Sequence, residues 1–232
     1  MLPAISEFDM QVVIVDDASG ANAVAELEAV VHDLPNVTLV ERTENGGKGA
    51  AMITGMREAA ARGFSHIISL DADGQHDSAD LPKLHGLSQQ QPDSLFTGRP
   101  IFGSDIPTVR LYGRMLTNVL VQFECGSTKV KDAMCGLRVY PVRLVLPLCA
   151  RLGYRTRMEF DVEILVRACW AGLEVRSMDT KVIYPQDGQS HFNMFADNTR
   201  LVAMHTLLII GALLRLPSRL WRRLVSRGAA VG

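Results

Sequence analysis

Along most of the chain, short apolar runs closed by turn residues alternate with longer stretches whose apolar positions recur every three or four residues, a pattern of strands alternating with amphipathic helices. Strands are expected over residues 11–15, 37–41, 66–70 and 94–97, where aliphatic and β-branched side chains stand together. Helices are expected over 21–32, with Val24, Leu27, Val30 and Val31 on one face, and over 48–62, closed by Gly63. A second set follows: a helix near 108–124, a strand near 136–140 and a helix near 160–171. Strands separated by helices point to crossover connections, so the pattern predicts an α/β domain with a mostly parallel sheet flanked by helices. That domain is expected to fill residues 1–198, with a helical tail over 199–232. Residues 201–214 are almost wholly apolar but fall short of the roughly 20 residues that span a bilayer. The RLPSRLWRRLVSR that follows sets Leu216, Leu220, Trp221, Leu224 and Val225 among arginines, the make-up of an amphipathic helix lying on an anionic membrane surface. A helix packed on the domain, or a contact between copies of the chain, is the alternative.

Composition narrows the class. With 232 residues, 47% apolar and 21% charged, the chain is long enough for one large core and excludes a disordered or collagenous protein. Its 24 basic and 25 acidic residues leave a net charge of -1, so no nucleic-acid partner is expected. The basic surface is local, since no acid follows Asp197. Cys125, Cys135, Cys149 and Cys169 form no CxxC, and no paired histidines accompany them, which argues against a zinc site. The first residues lack the basic start and apolar run of a secretory signal, so a cytoplasmic protein is expected, peripheral at the inner face of the membrane.

Chemistry gathers at the ends of the expected strands. Asp16 and Asp17 close the first, at the sheet edge where open α/β folds bind ligands; an Asp capping the next helix is the structural alternative. The third runs into Asp71-Ala72-Asp73-Gly74-Gln75, where alternation puts Asp71 and Asp73 on one side of an extended backbone. Two carboxylates with Gln75 as a further oxygen suit Mg²⁺ or Mn²⁺ sharing its remaining positions with water and a diphosphate. Asn45-Gly46-Gly47-Lys48-Gly49 opens the second helix, so its amides and Lys48 are placed to face an anion. The Walker spacing is missing and no GxGxxG follows a strand, which removes the best support for NTP hydrolysis or nicotinamide chemistry.

The ordered segments VVIVDDAS, NGGKGAAMITGM, IISLDADGQH, TGRP and DAMCGLRVYP resemble those of family 2 glycosyltransferases, most closely the polyprenyl-phosphate sugar transferases such as dolichyl-phosphate mannose and glucose synthases. The resemblance covers residues 12–193. It implies a GT-A fold, a nucleoside-diphosphate sugar donor and inversion at the anomeric carbon. It assigns Asp17 to the nucleoside, Lys48 to the nucleotide, and Asp71, Asp73 and Gln75 to the metal and diphosphate. Arg99 and Arg114 fall where this family places arginines for acceptor or donor phosphate, with Arg110 an equal candidate for the second. Asp132 and Arg138 match an acid and a phosphate contact of a later motif, and His191 stands where a lysine is common. Asp161 and Glu163 fall at acceptor-site acids. Asp161 is the general base if the acceptor is a hydroxyl; a lipid phosphate needs none, and Glu163 is otherwise a buried partner for an arginine. The implied partners are the donor, a lipid-linked or other membrane-associated acceptor, the anionic membrane under the tail, and a second copy of the chain.

One departure is large. Such enzymes normally begin with a strand ending in Pro-Thr-Tyr-Asn-Glu, and ten residues precede Gln11 here without that motif. An exposed sheet edge, open to pairing with another chain, is the expected consequence. A non-catalytic, membrane-binding scaffold of the same fold is therefore the competing reading. A phosphoacceptor receiver also opens with an acidic pair, but the distance from Asp17 to Asp71 is too long for it, and a sugar-nucleotide synthase would carry a Gly-rich loop after its first strand.

Overall fold

The computed structural model describes residues 10–102, 108–152, 157–182 and 194–218, together with Ile5 and Phe8. His191, Arg219, Arg222, Arg223 and Arg227 lie outside the described residues, as does the side chain of Arg110. The order of elements is β1 (Val12–Asp16), α1 (Ala21–Val31), β2 (Val37–Glu41), α2 (Lys48–Ala61), β3 (His66–Ser69), a 3-10 turn (Ser78–Asp80), α3 (Leu81–Gln90), β4 (Leu95–Ile101), α4 (Thr108–Cys125), β5 (Arg138–Pro141), α5 (Val142–Cys149), α6 (Phe160–Ala171), β6 (Val175–Lys181) and α7 (Met194–Leu214).

Four strands form a sheet in the order β3-β5-β4-β6. β5 runs antiparallel to both β3 and β4, while β4 and β6 are parallel, so three strands point one way and β5 opposes them. The expected mostly parallel sheet thus carries one reversed strand at its centre. β1 and β2 pair in parallel from Val12 with Val37 to Asp16 with Glu41, and among the described residues they form a sheet of their own. Among the described residues no strand joins β1 to β3, which leaves a break between the two sheets. Helix α2 crosses it, packing on β1 and on β3, with Met56 fully buried.

Two apolar clusters flank the four-stranded sheet. The larger joins Leu95 and Tyr140 to Val121 of α4, Phe160 and Leu165 of α6, and Met204 and Leu208 of α7. The smaller packs Leu81 and Leu84 of α3 on Phe96, Leu137 and Met178, with Ile5 alongside. Because α7 begins before residue 198 and buries Met204, Leu208 and Ala212, the structure packs the helical part of the expected tail into the main domain. Burial is uneven elsewhere. α1 buries no residue and leaves Val30 52% exposed, because a two-stranded sheet offers little surface against which its apolar face can pack.

This unevenness predicts two different costs. Leu84→Ala should destabilise the chain by about 2–5 kcal/mol, as for other fully buried leucines. Val30→Ala should change stability by no more than about 0.5 kcal/mol. Denaturant unfolding of both variants, compared at their midpoints, checks the contrast; equal losses would contradict it.

Candidate functional site

The two strands whose carboxyl ends carry acidic candidates, β1 and β3, open into one region, and the helices that follow them bring further charges. Asp16, at the end of β1, is turned inward and accepts a hydrogen bond from the Ser19 amide at 3.1 Å. Hydrogen bonding from Ser19 holds its carboxyl below the usual range, against an opposing effect of burial. Asp17 does what the adjoining loop requires. Its Oδ1 accepts the Gly46 amide at 3.0 Å and Arg42 Nε at 2.7 Å, and its Oδ2 accepts the Gly47 amide at 2.6 Å. The amides of the Asn45–Gly47 loop do face an anion, as the sequence suggests, but that anion is Asp17. Gly47 has a φ of 83°, and a Cβ there would lie 2.6 Å from Cγ of Arg157, so glycine is needed for backbone angle and space alike.

Lys48, in the first turn of α2, reaches Asp71 Oδ1 at 2.7 Å and Asp161 Oδ2 at 2.6 Å. Burial alone would lower its pKa; the two carboxylates outweigh that and raise it above the ordinary lysine range. Asp71 lies against the backbone of Gly136, where a Cβ would fall 1.9 Å from Asp71 Oδ2. Ser69 fixes that segment by donating to the Gly136 carbonyl at 2.7 Å. Asp73 is exposed, and its Oδ1 accepts the Gln75 amide at 3.0 Å. His76 stands beside this group: burial lowers its pKa, while Asp71 and Asp73 pull upward and Lys48 and Arg114 oppose them. Its Nδ1 is buried without a hydrogen-bond partner.

Arg114 of α4 pairs with both oxygens of Asp132, one contact being 2.7 Å from Nη2 to Oδ1, and its guanidinium lies 5.1 Å from the Phe102 ring centre. Asp132 also accepts the amides of Met134 and Cys135 at 3.0 and 2.8 Å, so it anchors the turn leading to Gly136. One expected role changes, and one open alternative is taken up. Arg138 is fully buried and donates to the carbonyls of Cys135, Ala133 and Asp161, which makes it a brace beneath the site and removes it as a phosphate contact. Glu163 accepts Arg167 at 2.6 Å one turn along α6, the structural alternative for that acid. Arg99 forms a surface pair with Asp179 at 2.5 and 2.6 Å, and no described contact joins it to Lys48, Asp71 or Asp161.

Asp71, Asp73, Lys48, Asp161, Arg114 and Asp132 are therefore brought together, with Asp17 at the adjoining loop. Arg42, His76 and Gly136 are site residues that the motif reading did not single out. Arg42 follows the end of β2, and that position at the ligand-binding edge was the available signal. Among the described residues no group of three or more His, Cys, Asp or Glu side chains is placed to hold a metal by itself. Asp71 and Asp73 nevertheless offer hard oxygen donors, and Asp73 is open to solvent, a donor set that fits a magnesium-like ion shared with a diphosphate.

Removing the central ammonium should be costly in a pH-dependent way. Lys48 is 24% exposed, so Lys48→Met should cost about 3 kcal/mol, the low end for breaking a buried ion pair. A raised lysine pKa contributes stability that is complete below the unfolded value of about 10.4 and is lost as pH rises through the folded one. The gap between wild type and variant in urea unfolding should therefore stay level between about pH 7 and 9 and narrow above about 10.4. A gap that widens in alkali would contradict the ion-pair assignment.

Comparison with known proteins identifies the family. The glycosyl transferase family 2 model matches residues 4–144. Polyprenol monophosphomannose synthase of Mycolicibacterium smegmatis is 29% identical over 136 residues, 56% of this chain and 51% of the relative. Dolichol-phosphate mannosyltransferase of Saccharomyces cerevisiae is 34% identical over 127 residues, 54% of this chain and 46% of the relative. The chain thus spans about half the length of these curated relatives. Among solved structures, Staphylococcus aureus TarS 1–349 with UDP superposes with a TM-score of 0.57 at 14% identity, covering 93% of this chain and 66% of that one. Glucosyl-3-phosphoglycerate synthase from Mycobacterium tuberculosis, in complex with Mn²⁺, UDP and glucosyl-3-phosphoglycerate, gives 0.56 at 18% identity, covering 92% and 72%. These two share the GT-A fold, and the family match over more than half the chain places this protein in glycosyl transferase family 2.

Proposed function

We propose that this chain is an inverting glycosyltransferase that moves a sugar from a nucleoside-diphosphate sugar to a lipid phosphate at a membrane surface. The observation that carries the proposal is the placement of Asp71 and Asp73 at the end of β3, beside an ammonium held by Asp161. Asp71, Asp73, Asp132 and Asp161 face Lys48 and Arg114, with Arg138 beneath, so carboxylates outnumber cations. Such a site repels a diphosphate until a cation joins it. Asp71 and Asp73, with Gln75 beside them, would hold Mg²⁺ or Mn²⁺. When bound, that ion supplies charge neutralisation for the departing diphosphate.

The chain's own residues do the rest by position. Asp17 and Arg42 shape the Asn45–Gly47 loop on the nucleotide side. Lys48 presents its charge between Asp71 and Asp161, and Arg114 offers a guanidinium to an incoming phosphate if Asp132 shares it. An oxygen of the acceptor attacks the anomeric carbon as the bond to the diphosphate breaks on the opposite face, which inverts the centre. A lipid phosphate is already ionised and needs no proton removed. Asp161, engaged by Lys48, then serves to position that ammonium; it would take a proton only from a hydroxyl acceptor. Relatives named for polyprenol, undecaprenyl phosphate and dolichol phosphate support the lipid phosphate.

Transfer of labelled sugar from a nucleoside-diphosphate sugar to polyprenyl phosphate tests the proposal. Asp73→Asn should reduce transfer by at least about 100-fold. Its melting temperature should stay at the wild-type value, because Asp73 is exposed. Near-wild-type transfer by this variant would refute the metal and diphosphate assignment.

A further inference from the structure

The cations of the site are already engaged. Lys48 lies on Asp71 and Asp161, Arg42 on Asp17, Arg114 on Asp132, and Arg138 on three carbonyls. His76 differs from all of these. Its partly buried ring stands among the charges of Asp71, Asp73, Lys48 and Arg114, yet among the described residues neither of its nitrogens has a hydrogen-bond partner. A polar group left unpartnered inside a site calls for an explanation, and a missing ligand is one.

The two nitrogens are not equivalent. Nδ1 is enclosed by protein, whereas Nε2 is the one left open. An N–H buried without an acceptor is the rarer arrangement, so a neutral ring carries its proton on Nε2, and a protonated ring carries one there as well. Nε2 is thus a donor in either form, with no acceptor of this chain on it. It matches an oxygen that only accepts, as the oxygens of an ionised phosphate do.

Position selects the phosphate. His76 makes an isolated antiparallel bridge with Val182, directly after β6. The turn beyond it is fastened by Asp77, whose Oδ1 accepts the Ala79 amide at 2.9 Å, and by Thr180 of β6, whose hydroxyl donates to Asp80 at 2.6 Å. In the order β3-β5-β4-β6, β6 is the edge away from β3, and α2 joins β3 to the β1–β2 pair that carries Asp17. The imidazole is therefore anchored on the side of the sheet remote from the Asn45–Gly47 loop. A phosphate arriving on that side meets a guanidinium, Arg114, that must first give up Asp132, and an N–H that gives up nothing.

We propose that Nε2 of His76 donates a hydrogen bond to a phosphate oxygen of the acceptor, so that this ring reads the acceptor rather than the nucleotide sugar. That the phosphate is the acceptor's rests on the function proposed above.

Calorimetric titration of the full chain with geranyl phosphate, in the presence of Mn²⁺ and without any sugar nucleotide, tests the contact apart from turnover. Glutamine sets an amide N–H near the place of Nε2, and asparagine sets one near Nδ1. His76→Gln should bind within about threefold of wild type, while His76→Asn and His76→Ala should bind at least about tenfold more weakly. The bridge to Val182 uses the backbone alone, so all three variants should melt as wild type does. Mn²⁺-dependent stabilisation by the nucleotide should be the same in His76→Asn and wild type, which separates the acceptor phosphate from the diphosphate. Full binding by His76→Asn, equal weakening in the Gln and Asn variants, a lost nucleotide response in His76→Asn, or no binding by wild type would each overturn the proposal. The expected binding pattern without sugar transfer to any prenyl phosphate would instead refute the function proposed above and leave the phosphate contact standing.

Discussion

Lys48 sits where three parts of the fold meet. Its own helix bridges the break between the β1–β2 pair and the larger sheet, Asp71 follows β3, and Asp161 lies in the first turn of α6, with the ammonium within 2.7 Å of both carboxylates. Among the described residues no strand lies between β1 and β3, so α2 and this ion pair carry the connection that backbone hydrogen bonds carry in a continuous sheet. The geometry has a direct chemical meaning. A charge that organises the site is shared between Asp161 and the acid proposed above for a metal, so on that proposal the arrangement of the site is tied to the state of the ligand.

The arginines divide along the same logic. Arg138 is spent on carbonyls beneath the site, where its buried charge fixes the turn carrying Gly136 and the backbone of Asp161. Burial pushes the neighbouring Tyr140 up to about 12, so that hydroxyl stays neutral. Arg42 stabilises Asp17, and Arg114 is held by Asp132. A guanidinium that is paired yet 16% exposed can exchange its partner for a phosphate; one that is wholly buried cannot.

Much of this was legible because local rules decided it. The apolar run into Asp71 marks β3, and Gly63 closes α2 with a φ of 80° where the periodicity ends. Lys48 at a helix start and the paired acids at strand ends were visible for the same reason. What stayed hidden depends on contacts distant in sequence. Nothing near Arg138 tells that β5 inserts antiparallel between β3 and β4 and buries that side chain on both sides. The anion for the Gly46 and Gly47 amides was predicted in kind, but its identity as Asp17 requires β1 and β2 to lie in register. Helices α3 and α5 and strand β6 escaped the reading because Pro82, Pro147 and the polar residues of Val175–Lys181 interrupt the simple periods.

The central claim is that this acid-rich site binds a nucleotide sugar once a divalent cation reaches Asp71 and Asp73. Thermal unfolding of the chain with UDP, GDP, CMP and their sugar conjugates, each with and without Mn²⁺, measures it directly. The account predicts stabilisation by one nucleotide class that requires the metal, since a ligand bound to the folded state alone raises the melting temperature. No metal-dependent shift with any nucleotide, in a chain that is folded by circular dichroism, would contradict it and leave the scaffold reading in its place.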